Sequence, residues 1–273
     1  MSDSDSDESV TRINTEIGFN ENPAEYSDIL IAARDGDVHA LRAELALGAD
    51  PNLSGSLSST TPLNVIVSNA AVAGGRIYST RCPNESRLIE CTRLLLDAGA
   101  DPCFLDALTV TAVYNTVSHN HPEILAMLLE AGAGAVVNNR VIDSKWTALA
   151  QAARSGYMEC LHLLLAAGAD VNLRVQNESL NDTPLETAIK WDQYDHHENL
   201  KRVFPVLLRA GAAIPPTVAH PYLRKVKAAG GFPAYERAHR LRLATILARV
   251  VFPRLPLEIV SHVVAFAFHP GDY

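Results

Sequence analysis

The strongest constraint on this chain is a phrase that it writes five times. LLLDAGADP at 94–102 returns as ELALGADPN at 44–52, LLEAGAG at 128–134, LLLAAGADVN at 163–172 and LLRAGAA at 207–213. The glycines at 48, 99, 132, 168 and 211 are 51, 33, 36 and 43 residues apart. Self-similarity at a period of about 20–50 residues marks a solenoid, in which each unit buries its apolar face only against its neighbours. A chain of 273 residues written in this way is read as a repeat array before any other fold.

The other end of each copy carries a matching signal. Stepping back 21 residues from three of the glycines reaches Ser27, Thr111 and Thr147; Thr61 and Thr183 stand 38 and 28 residues before theirs. A hydroxyl there can accept from a backbone N–H that the first helical turn leaves bare, and a proline just inside loses no bond. Thr61-Pro62-Leu63 and Thr183-Pro184-Leu185 show the full signature. Nine residues after the cap stand Gly36, Asn120 and Gly156, types that tolerate a left-handed backbone, so the first helix turns back there. Leu95-Leu96, Leu128-Leu129, Leu164-Leu165 and Leu207-Leu208 then mark the buried side of a second helix. The glycine supplies its left-handed stop, and Asp-Pro-Asn or Asp-Val-Asn begins a projecting turn.

These residues, TPL, the leucine pair, the cap glycine and GAD followed by P or V and N, resemble the ankyrin repeat family over residues 27–214. The resemblance implies an all-α fold: a curved solenoid of about five helix pairs, with turns along one edge that grip other proteins and no shared active site. The copies also depart from the family. None has its histidine after TPL, copy three reads Thr111-Ala112-Val113 and ends in Gly134, and copy one opens Ser27-Asp28-Ile29.

Composition narrows the function. With 23 basic and 31 acidic residues the net charge is -8, the wrong sign for a phosphate-backbone binder, so nucleic acid is not expected. Residues 1–28 carry a net -7 and residues 215–273 a net +5. The opening MSDSDSDESV is acidic and serine-rich where a secretory signal is basic and then apolar. Residues 1–26 read as an acidic disordered tail, in which Ser2, Ser4 and Ser6 have the setting of acid-directed phosphorylation sites. The most apolar late stretch, 243–268, is broken by Arg249, Pro253, Arg254, Pro256 and Glu258, so no membrane span is expected. Cys82, Cys91, Cys103 and Cys160 lack ligand spacing and read as reduced, small apolar residues. The expectation is a monomer of the cytoplasm or nucleus, with no cofactor, no metal and no catalytic motif, which leaves an enzyme assembled from dispersed residues as the outlying alternative.

Function is then sought where the copies differ. Copy two carries 17 extra residues within SNAAVAGGRIYSTRCPNESRL and copy five carries 7 within WDQYDHHENLK. Insertions of this kind fall in loops on one face. Arg76, Tyr78, Arg81, Trp191 and Tyr194 are of the types that anchor interfaces, while tolerated drift in a surface loop explains them equally well. The projecting turns add Phe104, Leu105, Asn138, Asn139, Trp146, Arg174 and Asn177, which either point outward or pack between repeats. His119 and His121 suggest a metal pair until the alignment explains His121 as the histidine that follows the turn in this family; His196 and His197 lack a third ligand.

Beyond the array, residues 215–273 read as a helical tail with helices over 221–229, from 233 onward and over 256–268. Tyr235, Ala238, Leu241, Ala244, Ala248 and Val251 recur at helical steps along the middle one. The tail caps the open end of the stack, with Leu255, Leu257, Ile259 and Val260 against the fifth repeat, or it has a second use. Leu255-Pro256-Leu257-Glu258-Ile259-Val260 resembles the opening of an F-box and the end of a SOCS box. That resemblance implies an adaptor that brings substrates to a cullin ubiquitin ligase through a Skp1-type or elongin-type protein. Too few residues follow Leu255 for a whole F-box, and Leu243, Leu247 and Val251 keep the SOCS spacing without its cysteine.

Overall fold

The computed structural model describes residues 27–54, 60–73, 85–105, 110–141, 145–176, 181–194, 198–216, 220–251 and 255–267. Among them are thirteen α-helices and a single two-stranded hairpin. The chain divides into two compact units, Met1–Ala148 and Leu149–Tyr273. Each is a stack of helix pairs, and the chain is an all-α repeat solenoid.

The first unit holds α1 (Asp28–Asp35), α2 (Val38–Ala46), α3 (Pro62–Ala73), α4 (Glu85–Asp97), α5 (Ala112–Ser118) and α6 (Pro122–Glu130). The first helices of the pairs pack in a row, α1 on α3 and α3 on α5; the second helices form another, α2 on α4 and α4 on α6. Ile29, Leu63, Ile66 and Val113 are buried in the first row, and Leu41, Leu88, Leu95, Ile124 and Leu128 in the second. Burying one such side chain contributes about 1.5–3 kcal/mol.

The phrase ends each second helix. At Gly99 the backbone turns left-handed (φ +89°). There Gly99 N–H donates to Leu96 O at 3.0 Å and Ala100 N–H to Leu95 O at 2.9 Å. Two carbonyls that a helix end leaves bare are thereby satisfied. The same pair of bonds forms at Gly48, Gly168 and Gly211, and all five phrase glycines have φ between +86° and +105°. The returns between the two helices of a copy are left-handed as expected: Gly36 at φ +60°, Asn120 at +57° and Gly156 at +70°.

Three of the hydroxyl residues cap their helices. Thr111 Oγ1 accepts from Tyr114 N–H at 3.0 Å and Thr61 Oγ1 from Asn64 N–H at 3.4 Å. Thr183 Oγ1 accepts from Glu186 N–H at 3.2 Å while the Glu186 carboxylate accepts from Thr183 N–H at 2.8 Å, a reciprocal capping box. Ser27 occupies the cap position of α1 but makes no cap bond. The residue type is right there and the bond is missing.

The second unit holds α7 (Ala148–Ser155), α8 (Met158–Ala166), the hairpin β1 (Val175–Gln176) and β2 (Asn181–Asp182), α9 (Pro184–Tyr194), α10 (Glu198–Arg209), α11 (Pro221–Ala228), α12 (Phe232–Val250) and α13 (Leu257–Ala267). The three tail helices lie where the sequence put them, yet they do more than close the array. α8 packs on α10, α10 on α12, and α11 on α12, so α11 and α12 continue the stack as a further helix pair. Their junction repeats the earlier geometry, with Gly230 N–H on Lys227 O at 3.1 Å and Gly231 N–H on Val226 O at 3.0 Å. His220-Pro221 opens α11 as Thr183-Pro184 opens α9. Phe204 of α10, 1% exposed, is covered by His220 and Tyr222 at ring distances of 4.9 and 6.1 Å.

The expected stripe on α12 needs correction. Ala244 is buried, but Leu241 is 58% and Val251 53% exposed. Leu243 and Leu247, outside the expected stripe, pack with its Ala244 and Ala248 against Val260 and Val264 of α13. The period was right and its phase was off by part of a turn.

Candidate protein-binding surfaces

The turns that leave the phrase are built by its last residues. Asp50, Asp101 and Asp170 each accept from the N–H two residues on, at 2.9, 2.8 and 2.9 Å, which bends the chain outward. Asn52 then reaches the next copy: Nδ2 donates to Gly99 O at 3.0 Å, and Oδ1 accepts from Asp101 N–H at 2.6 Å. Asn172 does the same with Gly211 O at 3.1 Å and Ala213 N–H at 2.8 Å. Cys103 stands at the equivalent position of copy two, where only its thiol donates, to Gly132 O at 3.5 Å. These three turns are stitched to their neighbours before they project.

This register decides which tip residues face solvent. Six residues after the glycine stand Ser54, Leu105, Asn138 and Arg174, all exposed. One residue earlier Leu53 is 39% exposed, Phe104 and Leu173 are half-buried, and Val137 is buried. Leu105 (42% exposed) and Asn138 thus lie on the outer row, with Asn139 half-buried beside it.

Two of the expected contact residues are otherwise engaged. Trp146 is only 8% exposed: Val141 N–H donates to its carbonyl at 3.1 Å, and the tight turn through Lys145 (φ +56°) folds the ring inward. It is a packing residue and leaves the outward row. Arg174 donates to Asn181 O at 2.5 Å and to Glu186 at 3.1 Å, bracing the β1–β2 hairpin against the start of α9.

Arg76, Tyr78 and Arg81 lie outside the described residues, as do Asn177, His196 and His197. Tyr194 ends α9 with its side chain outside them as well. Trp191 is half-buried on α9 under the Arg154 guanidinium, 4.2 Å from the ring centroid. That cation–π contact spans two copies and fixes the ring's orientation.

In the tail, Leu255 and Leu257 are 43% and Ile259 49% exposed, and Pro256 is exposed too. These three leucine and isoleucine side chains are exposed, not buried against the fifth repeat as the cap alternative requires of them. Val260 is fully buried with Val264 on α12, and so cannot meet a partner. The four-residue step of Val260 and Val264 meets that of Leu243 and Leu247, and this pairing leaves Leu257, Ile259 and Val263 exposed.

The titratable groups favour structure over chemistry. Burial pushes the Cys91 thiol up to about 11 and Cys160 up to about 12, and raises Cys103 as well, so all three stay protonated at neutral pH and are poor nucleophiles. Burial, with His121 nearby, lowers His119 to about 4. His121, 7% exposed, faces Glu85 at 3.1 Å and so ties the start of α6 to the start of α4. An open groove beside the α1–α2 turn is lined by Asp35, Asp37, His39, Arg42, Arg87 and Glu90; its charges are of both signs, with Arg42 and Glu90 paired at 3.1 Å. No group of three His, Cys, Asp or Glu residues is arranged to hold a metal among the described residues, and no helix there is long and apolar enough to cross a membrane.

Residues 82–175 match the ankyrin repeat family in three copies. The chain is 27% identical over 146 residues to a tyrosine-protein kinase, HTK16, of Hydra vulgaris, covering 54% of this chain and 18% of that protein. It is 35% identical over 95 residues to the glycerophosphocholine phosphodiesterase gde1 of Schizosaccharomyces pombe (35% of this chain, 8% of that one). It is 34% identical over 107 residues to the B-cell lymphoma 3 protein homolog of Mus musculus (34% and 24%). The chain thus spans less than a quarter of each relative. Names as unlike as a kinase and a phosphodiesterase, each matched over so small a share, fit a repeat that they hold in common.

Proposed function

We propose that this chain is a non-enzymatic protein-binding scaffold whose repeats hold a partner along the projecting turns. The observation that carries the reading is the division of labour within each copy. Phrase residues are consumed by helix stops and by the Asn52 and Asn172 stitches, while Leu105 and Asn138, on the outer register of successive turns, are exposed. An exposed leucine beside polar neighbours at neighbouring tips suits a peptide or loop that touches several copies at once. A photo-crosslinking side chain at Leu105, at Asn138 and, as control, at Glu130 tests it in cells. The same partner should be recovered at the two tips and not at Glu130. Equal recovery at all three positions would remove the tips as the binding surface.

A second reading, in which the tail recruits a cullin ubiquitin ligase, is favoured by the exposed row Leu255, Leu257 and Ile259 on a helix anchored by Val260 and Val264. Under it the repeats select a substrate, and α13 presents the row to a Skp1-type or elongin-type protein. Purified proteins of both types would be offered to the parent chain and to a Leu257→Asp, Ile259→Asp double variant. Capture by the parent, lost in the variant at unchanged melting temperature, supports the adaptor. Absence of capture by the parent refutes it.

A further inference from the structure

The tail carries a second apolar surface, on residues of α12 that the adaptor reading does not use. Where α10, α11 and α12 meet, Pro205, Tyr222, Phe232, Tyr235, Glu236 and His239 line a small cleft with an almost wholly apolar wall. Its rings hold one another in place: Tyr222 and Tyr235 meet edge to face at 5.5 Å, and Tyr235 and His239 stack at 6.0 Å. The acid at its edge is already engaged, since Glu236 holds both Arg209 and Arg240.

From this socket the same side of α12 runs on through Arg242, Ile246 and Val250, at 7, 11 and 15 residues from Tyr235. Ile246 is 50% and Val250 74% exposed. Arg242 and Arg249 border them, both exposed and neither in an ion pair with a described residue. After Glu236, α12 has no further acid. Burial and the Arg242 charge lower the His239 imidazole, which leaves the positive charge of this face to the arginines at neutral pH.

We propose that the face of α12 from Tyr235 to Val250 receives an acidic amphipathic helix of a partner protein, with one apolar side chain seated in the socket between Tyr222, Tyr235 and His239. The face spans 16 residues, 15 steps that cover about 22 Å at 1.5 Å each, so the partner helix needs about four turns. Ile246 and Val250 bury against its apolar stripe, and Arg242 and Arg249 meet its carboxylates. Charge complementarity selects an acidic occupant over a basic or neutral one. A concave aromatic socket for one side chain favours a protein anchor over a lipid surface, which has no single group to place in it.

The test uses the full chain and two fluorescein-labelled 16-residue helical peptides. Both carry leucines at alternating three- and four-residue steps; one has glutamates at the remaining positions and the other lysines. Fluorescence anisotropy should show saturable binding of the glutamate peptide only, weakened by added salt. Ile246→Asp should lower its affinity at least tenfold, as should the pair Arg242→Glu and Arg249→Glu, and the pair should let the lysine peptide bind instead. All of these positions are exposed, so circular dichroism should show unchanged melting for each variant. The proposal is overturned if the glutamate peptide fails to saturate or binds Ile246→Asp as well as the parent. It is equally overturned if the face proves to bind anionic phosphatidylglycerol vesicles or a second copy of the chain and the peptide displaces neither.

Discussion

Replacing Gly168 isolates the part of the repeat that depends on backbone shape alone. Its φ is +86°, and no heavy atom lies within 4 Å of where a Cβ would sit. A Cβ there meets nothing beyond its own chain neighbours, so the cost of alanine is that of holding an L-residue left-handed. Alanine should therefore cost about 1–2 kcal/mol. Valine, whose branched Cβ crowds the same conformation, should cost about 2–3 kcal/mol. Asparagine visits this region routinely, and its cost should stay below about 1 kcal/mol. At about 3 °C per kcal/mol for a unit of this size, Gly168→Val should lower the melting temperature by about 6–9 °C, with alanine intermediate and asparagine nearest the parent. Thermal and urea unfolding followed by circular dichroism reads the series. A valine variant as stable as the parent would show that the stop does not need the left-handed turn, and an asparagine variant as damaged as valine would show that space, not φ, is limiting.

The stitch between copies should be measurable in both directions. Asn172→Ala removes the bonds to Gly211 and Ala213 and should cost about 1–2 kcal/mol, whereas Cys103→Asn, which supplies a donor and an acceptor where one thiol now donates, should raise the urea midpoint. The two sides of α13 should separate: Val260→Asp buries a charge and should cost about 3 kcal/mol or more, while Leu257→Asp, at a site 43% exposed, should stay within about 0.5 kcal/mol. His119 has a folded pKa near 4, below its unfolded value of 6.5. The unfolded chain therefore takes up the proton first, and the stability present above pH 6.5 is lost as pH falls toward 4. His119→Gln should flatten that window of the stability curve, and an unchanged slope would show that His119 is already solvated in the folded chain.

The sequence made the repeats legible because their punctuation is local. A glycine after a leucine pair, or a threonine before a proline, meets a requirement of its own turn, and the φ of Gly48, Gly99, Gly132, Gly168 and Gly211 follows from it. Contacts between distant residues were harder to read. Trp146 lies in a turn, where the sequence leaves outward and packed placements both open, and its burial to 8% exposure beside the left-handed Lys145 selects the packed one. The partner of Asn172 lies 39 residues away, and no pattern near Asn172 announces it. On α12 the helical period was visible, but α10, α11 and α13 all border the helix, and together they set which side is covered. The pair α11 and α12 is hard to read from sequence as a continuation of the stack because α12 runs 19 residues with no phrase to end it. The Gly230-Gly231 turn and His220-Pro221 were the signals that could have revealed it.

Hydrogen exchange along the chain, read by mass spectrometry, tests the central claim most directly: the repeated phrase is a structural stop and stitch, and the exposed tips beyond it hold the partner. The amides of Ala49, Ala100, Ala169 and Ala212 donate to carbonyls at the ends of their helices. Peptides over 44–50, 95–101, 164–170 and 207–213 should therefore exchange slowly, and Asn172→Ala should speed exchange in 207–213. Peptides that cover the exposed tips at Ser54, Leu105 and Asn138 should exchange fast in the free chain and slow down when a partner is bound. Phrase peptides that exchange as fast as the tips, or tips already protected in the free chain, would contradict the account.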